Sequence, residues 1–530
     1  MKLIYDVEDK PKFSKLLVFA LQQVLAIMAA TIAVPTIIGL PTQIPAAILG
    51  AGVGTIVYLL FTKFKSPVFL GSSFAFLSSL GVAIAFGYLG IIVGAVFAGL
   101  VYVVIALVVR FAGTKWVSKL MPPVVIGPTV ALIGLSLAGS AMGDIVKASG
   151  ASVNGGYNLV ALLCGLITFF TIVLCSTQKK RKMMQLIPFI IGIGAGYVSA
   201  AIFSAFGYAF DVEYLKIINF SPIVNNFVTE SGSFVGFKAF LNYPDFALIE
   251  AIKELATGNV SDAIKAVNEN ATTLTGAGVA EIALAFIPVA LVVFAEHIAD
   301  HKNLGSIIER DLVEGEPGLE KTLLGDGVGS IAGTIFGICP NTTYGESVGC
   351  VAITKNASVR TIFAAAIMCI VLSFLSPVMA LLQTIPSCVM GGVCLTLYGF
   401  IAVSGLKMFK DIDLGENKNL FVVSVILIAG IGGLSLQIPY HLSGSDVVTE
   451  VFVNGVFNGK LSSTVSAGTV DKAITVTSIA TALILGIVTY AVIGKMEKKH
   501  QAEENEPESL IAGAVAPEAN FEIGAEKQDD

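Results

Sequence analysis

Charge is what this chain most lacks. Asp, Glu, Lys and Arg make up 13% of its 530 residues, against roughly 25% in soluble proteins. Hydrophobic residues make up 55%, more apolar surface than soluble domains can hide. No long basic run occurs, and 32 Lys and Arg are outnumbered by 38 Asp and Glu, which excludes nucleic acid as a partner. The metalloprotease order H-E-x-x-H is absent, and an enzyme is not expected. The seven cysteines are odd in number, form no C-x-x-C and lie in apolar stretches. They read as buried free thiols, not as a disulfide or metal framework. No cofactor is implied. These exclusions leave a polytopic membrane protein, embedded in lipid.

The distance between charges measures the spans, because a charge at the bilayer centre costs about 2.5 kcal/mol or more. Lys65 to Arg110 encloses 44 uncharged residues and Arg360 to Lys407 encloses 46. Each run is long enough to cross a ~30 Å hydrocarbon core twice at about 1.5 Å per residue. Shorter runs, two spans before Lys63, and marginal stretches at 282–300, 322–339 and 340–356 bring the expected number to fourteen. With a cytoplasmic N-terminus, the basic loops at Lys63 to Lys65, Arg110 to Lys119, Lys179 to Lys182, His301 to Lys321, Lys355 to Arg360 and Lys407 to Lys410 all fall inside, as the positive-inside rule requires. Both termini are then cytoplasmic in the cell membrane. The first twelve residues lack a signal peptide's pattern, and the acidic tail after Gly494 reads as disordered.

The chain also resembles itself. Met121–Gly127 recurs as Ile385–Gly391, Val18–Ala20 as Val293–Ala295, and Gly71–Phe76 aligns with Asn341–Glu346, at nearly constant offset. The offset corresponds to seven spans, and an odd number inverts the second copy. Inverted repeats with interrupted helices mark secondary transporters. The interrupted segments, the third and tenth, should be 67–80 and 340–356. Each opens after a proline (Pro67, Pro340) and suits a short strand entering a short helix. Two helix N-termini would then present free N–H groups near the midplane.

Ionisable residues within spans are functional candidates. Glu296 and Asp300 stand four apart on one helix face after the apolar run from Ile282. Glu346 follows the second strand word, and Gln23 occupies the first span. Asp326, between Gly325 and Gly327, reads more readily as an N-cap at the start of the ninth span than as a ligand contact. His297 and His301 are also four apart, but metal binding is not expected. Glu296, Asp300, Gln23 and Asp326 are the candidates for proton coupling. Carboxylates accept from N–H groups while helix N-termini donate to carbonyl oxygens, and Phe74 or Tyr344 could stack on a ring. A desolvated carboxylate can also carry a proton with its substrate. This chemistry points to proton symport of a nucleobase-like heterocycle.

At Ala295-Glu-His-Ile-Ala-Asp300 and Asn341-Thr-Thr-Tyr-Gly-Glu-Ser-Val-Gly349 the sequence resembles the nucleobase–ascorbate transporter family (the xanthine/uracil permease group), and in particular its bacterial uracil permeases. The likeness includes Leu70–Phe76, Asp311–Gly327 and Met390–Gly392, with the family signature at Glu346, Gly349, Thr354 and Lys355. The resemblance implies a fourteen-span, all-α fold with short strands in the broken segments. It implies a core domain at 14–111 and 281–382 and a gate domain at 112–206 and 383–494. An N-terminus at 1–13, an extracellular loop at 207–280 and a tail at 495–530 complete the chain. It further implies alternating access and a homodimer. Glu296 and Glu346 would hydrogen-bond the base, the amides of Phe74 and Gly345 would donate to it, and Ala30 and Tyr344 would line the pocket. Glu at position 346 favours uracil over purines. Gln23 and Asp300 stand where uracil permeases carry His, and Ser347 where the signature has Asn. The acidic Asp300 is reminiscent of xanthine carriers, so xanthine or another purine is the near alternative. An inorganic anion carrier of the same architecture is the distant one.

Overall fold

The computed structural model describes residues 3–148, 157–178, 180–229, 231–440, 452–454 and 472–504. The first half of the chain runs α1 (Phe13–Ile37), α2 (Ile44–Phe61), β1 (Leu70–Ser72), α3 (Leu77–Ile84), α4 (Gly87–Ala112), α5 (Pro123–Ser136), α6 (Leu159–Ser176) and α7 (Pro188–Ala209). The second half repeats the order with α8 (Gly276–Ile308), α9 (Leu319–Phe336), β2 (Asn341–Thr343), α10 (Gly345–Thr354), α11 (Val359–Ser373), α12 (Ser387–Lys407), α13 (Asn417–Ile431) and α14 (Ser478–Glu504). Shorter helices lie in the connections. Nine helices among the described residues are long and apolar enough to cross a membrane, with α3, α11 and α13 lying in shorter apolar helices. The chain is a multi-pass membrane protein. The sequence led us to expect fourteen spans, and the difference lies in short or polar segments such as α9, which holds Glu320, Lys321 and Asp326.

The packing has a period of seven helices. α4 packs on α9 as α11 packs on α2, and α4 on α8 as α11 on α1. Likewise α6 packs on α7 as α13 on α14, and α6 on α12 as α13 on α5. The pairs α2 with α9 and α5 with α12 map onto themselves. Without a hydrophobic drive between helices in lipid, such contacts depend on small residues that let backbones approach. In α9 and the turn after it, Gly325, Gly329, Gly333 and Gly337 recur at every fourth residue and face α2. A Cβ on Gly329 would lie 2.8 Å from the Gly54 carbonyl oxygen, and one on Gly54 would lie 2.7 Å from that of Gly329. The seam between α5 and α12 is built the same way, since a Cβ on Gly127 would meet the Gly405 carbonyl oxygen at 3.2 Å.

Two connections contain more structure than their composition promises. The segment after α7 forms helices at Ser221–Phe227, Ala247–Thr257 and Asp262–Val267. It is tied to α7 where Ser204 Oγ accepts the N–H groups of Ile217 (3.0 Å) and Ile218 (2.9 Å). It is tied to α4 where buried Glu254 accepts the N–H of Tyr88 at 2.9 Å. Between α13 and α14, β3 (Ser435–Tyr440), β4 (Phe452–Asn454) and β5 (Lys472–Val476) form an antiparallel sheet in the order β4-β3-β5. Strand is therefore not confined to the two broken segments. Residues 441–451 and 455–471 of that connection, and the acidic tail from 505, lie outside the described residues. Helix α14 runs ten residues past Gly494 into the stretch expected to be disordered, because Lys, Met, Glu, Gln and Ala favour a helix.

The glycine seam yields the first prediction. Gly329→Val should destabilise the protein by about 1–3 kcal/mol through overpacking, read as a lower melting temperature in detergent. Gly194→Ala, whose Cβ meets nothing within 4 Å, should leave the melt unchanged. Equal melting of both variants would contradict the seam.

Candidate functional site

The site grows from the two interrupted segments. β1 and β2 pair antiparallel, with Leu70 opposite Thr343, Gly71 opposite Thr342 and Ser72 opposite Asn341. Two further bonds extend the pairing symmetrically: the Ser73 N–H donates to the Pro340 carbonyl at 2.9 Å, and the Tyr344 N–H to the Phe69 carbonyl at 3.1 Å. A buried strand end with unpaired backbone would cost several kcal/mol in hydrocarbon, so each segment satisfies the other. Beyond the strands the chain turns helical at once, through a 3₁₀ turn at Phe74–Phe76 into α3 and directly into α10. Neither N-cap residue, Ser73 or Tyr344, caps its helix with a side chain.

Three other helices brace this centre. The Asn341 side-chain amide donates to the Gly50 carbonyl at 3.0 Å, entering the seam between α2 and α9. The Gln23 amide on α1 donates to the Ser347 hydroxyl, and Ser347 Oγ accepts the Phe69 N–H at 3.1 Å. On α8, Asp300 accepts the Thr343 hydroxyl at 2.7 Å through Oδ2. Its Oδ1 lies 3.8 Å from the position a Cβ would take on Gly345.

The carboxylates gather at the same place. Glu346 occupies the first turn of α10, where the helix dipole favours negative charge. Glu296 stands one turn before Asp300 on α8. Glu296 and Glu346 are half-buried and Gly345 is exposed, so this corner of the strand pair is reachable. The structure thus brings together Glu296, Asp300, Gly345 and Glu346.

The other candidates have different positions. The Tyr344 ring lies against Gly71, and its hydroxyl donates to the Ser72 carbonyl at 3.0 Å. It braces β1 and is not free to stack. Phe74 packs edge-on against Tyr398 of α12, with ring centroids 5.3 Å apart. Ala30 is fully buried in α1. Asp326 is not an N-cap, because Gly318 occupies that position and Asp326 sits eight residues further on. It is fully buried and pairs with His297 Nδ1 at 2.7 Å. Thr343, Ser347 and Asn341 escaped the sequence reading as site-bracing residues, although all three lie within the repeated word or just after it. No group of three or more His, Cys, Asp and Glu able to hold a metal occurs among the described residues.

A bundle of apolar helices whose two broken members meet beside paired carboxylates has the architecture of a membrane permease. The model of a permease family, the xanthine/uracil permeases, matches residues 14–438. The chain belongs to that family, within the nucleobase–ascorbate transporters. It is 35% identical to the uracil permease of Bacillus caldolyticus, covering 87% of this chain and 96% of the relative. It is 32% identical to that of Escherichia coli K12, covering 84% and 91%. Among solved structures, the murine Solute Carrier 26 family member A9 anion transporter, inward-facing, matches with a TM-score of 0.51 at 11% identity, covering 83% of this chain and 72% of that one. That likeness is one of fold alone.

The bond between Asp300 and Thr343 yields the second prediction. Thr343→Val keeps the shape of the side chain but leaves a buried carboxylate oxygen without its donor, which costs about 1–3 kcal/mol. The melting temperature should fall in Thr343→Val and recover in Thr343→Ser. A melt unchanged by Thr343→Val would mean that Asp300 is held by something else.

Proposed function

We propose that this protein imports uracil together with protons across the cell membrane by alternating access. The observation that carries the reading is the pair of half-buried carboxylates, Glu296 and Glu346, beside two helix N-termini without side-chain caps. A uracil ring carries N–H donors and carbonyl acceptors along its edge. The carboxylates accept the N–H groups, and the backbone amides of Phe74 and Gly345 donate to the carbonyl oxygens. Relatives named uracil permease, 32–35% identical, support the choice of base. An inorganic anion is disfavoured, because two carboxylates facing it would cost several kcal/mol unless neutralised. Asp300, which keeps a purine in view as the alternative, has one oxygen engaged by Thr343.

The seven-helix period of the packing supports fourteen spans in two inverted halves. α1–α4 with α8–α11 form the core domain, and α5–α7 with α12–α14 form the gate. The two groups touch where α1 meets α7 and α12, and where α8 meets α14 and α5. Rocking at these contacts would open the strand pair to either side. Protons enter through the carboxylates of α8, Glu296 and Asp300, because an apolar surrounding favours the neutral form of such a group. Both termini are cytoplasmic in this reading, and the protein works as a homodimer in lipid.

The test is uracil uptake into proteoliposomes. The wild type should accumulate uracil when the outside is acidic, and a protonophore should abolish accumulation. Glu346→Gln should lose uracil uptake at least tenfold or shift preference towards a purine. Undiminished uracil uptake in Glu346→Gln would sink the assigned site, and accumulation without a proton gradient would sink the coupling.

A further inference from the structure

The face of α8 next to the carboxylates carries a second ionisable pair that the transport reading leaves unused. His297 and His301 stand four apart, about 100° round the helix from Glu296 and Asp300. Both are fully buried, and their rings stack with centroids 4.0 Å apart. All four ring nitrogens have partners. His297 Nδ1 is 2.7 Å from Asp326 Oδ2 and its Nε2 is 3.1 Å from the Thr322 hydroxyl, both on α9. His301 Nδ1 is 2.8 Å from the His297 carbonyl oxygen and its Nε2 is 2.7 Å from the Tyr58 hydroxyl on α2. The buried Ser66 hydroxyl lies 2.7 Å from the same Tyr58 oxygen, and the Tyr102 ring of α4 meets His297 edge-on at 6.0 Å.

A carbonyl only accepts, so His301 carries its hydrogen on Nδ1, and its Nε2 meets a Tyr58 hydroxyl that donates to Ser66. His297 donates from Nδ1 to Asp326, and its Nε2 meets the Thr322 hydroxyl, which donates to the Leu319 carbonyl. For a neutral pair every ring nitrogen is used, and none is left to bind a ligand.

We propose that His297, His301, Asp326 and Tyr58 form a clamp of positioning residues that sets the rotation of α8 and so aims Glu296 and Asp300 at the strand pair. The need for a clamp comes from the helix itself. Above the carboxylates every residue of α8 from Ile282 to Ala295 is apolar, so apolar side chains run all the way round its axis, exposed at Leu284 and Ile287 as well as buried at Ile282, Phe286, Val289 and Val293. A helix that is apolar on all sides has no stripe to fix its rotation, and burial is non-directional. Hydrogen bonds are directional. A turn of one residue would carry Glu296 about 100° away from the strand pair. The clamp holds α8 to both α2 and α9, the helices of the glycine seam that also receives Asn341.

The ligand half of this inference rests on the proposed uracil site, so its test includes a readout without ligand. Tyr58→Phe removes one oxygen from the clamp and no other bulk. With Glu296→Cys introduced as a reporter, labelling by a small water-soluble methanethiosulfonate should slow at least fivefold when Tyr58→Phe is added. In the chain with Glu296 intact, Tyr58→Phe should weaken uracil binding about tenfold and reduce discrimination against N-methylated uracils, measured on folded, monodisperse protein. A merely structural role would lower the melting temperature but leave affinity and discrimination unchanged. Unchanged labelling of the Glu296→Cys reporter would overturn the clamp. Failure of the wild type to bind uracil would instead overturn the functional reading, and labelling would still decide the clamp.

Discussion

An interrupted helix inside a bilayer leaves backbone N–H and C=O groups that lipid cannot satisfy. Here two interrupted segments meet that constraint by bonding to each other, through three residue pairs and one further hydrogen bond at each end. Everything else at the centre follows from this pairing. It fixes where α3 and α10 begin, and so where two uncapped helix N-termini lie. It places Thr343 against Asp300 and Gly345 beside it. A single span could not offer this surface, because its own backbone would use every donor.

Holding two three-residue strands in register requires a rigid frame, and the glycines supply it. α2 and α9 approach at Gly54 and Gly329 closely enough that neither position has room for a Cβ. Asn341 enters that seam and donates to Gly50, so the register of β2 is tied to the closest helix contact in the core. Gln23 and Ser347 tie α1 to α10 and, through Phe69, to the approach of β1. The carboxylate helix, α8, is fastened by directional bonds on its histidine face. Packing sets distances in this protein, and a small number of buried polar groups set angles.

Much of this was legible in the sequence because the bilayer penalises charge and irregular backbone so heavily. Charge-free runs marked the helices. The aligned words at Gly71–Phe76 and Asn341–Glu346 located both strands, the apolar run before Glu296 marked that carboxylate out, and Glu346 closes the second strand word. What was not legible depends on partners far apart in the chain. Tyr58 reaches His301 across 243 residues and Gln23 reaches Ser347 across 324, and no local pattern encodes either pair. Asp326 looked like a cap because glycines flank it, yet those glycines serve helix contacts, with Gly325 facing α2 and Gly327 facing α4. The four-residue glycine period of α9 was present in the sequence and was the signal that would have revealed the seam.

The most direct test of the uracil site is the thermal stability of the purified protein with uracil, xanthine, hypoxanthine or adenine, at pH 6 and pH 8. A ligand that binds only the folded state adds about 2.7 kcal/mol at a hundredfold excess over its Kd. Stabilisation by uracil and not by the purines is the predicted result. Stabilisation by xanthine alone, or by no base at all, would contradict the site built from Glu296, Glu346 and the two helix N-termini.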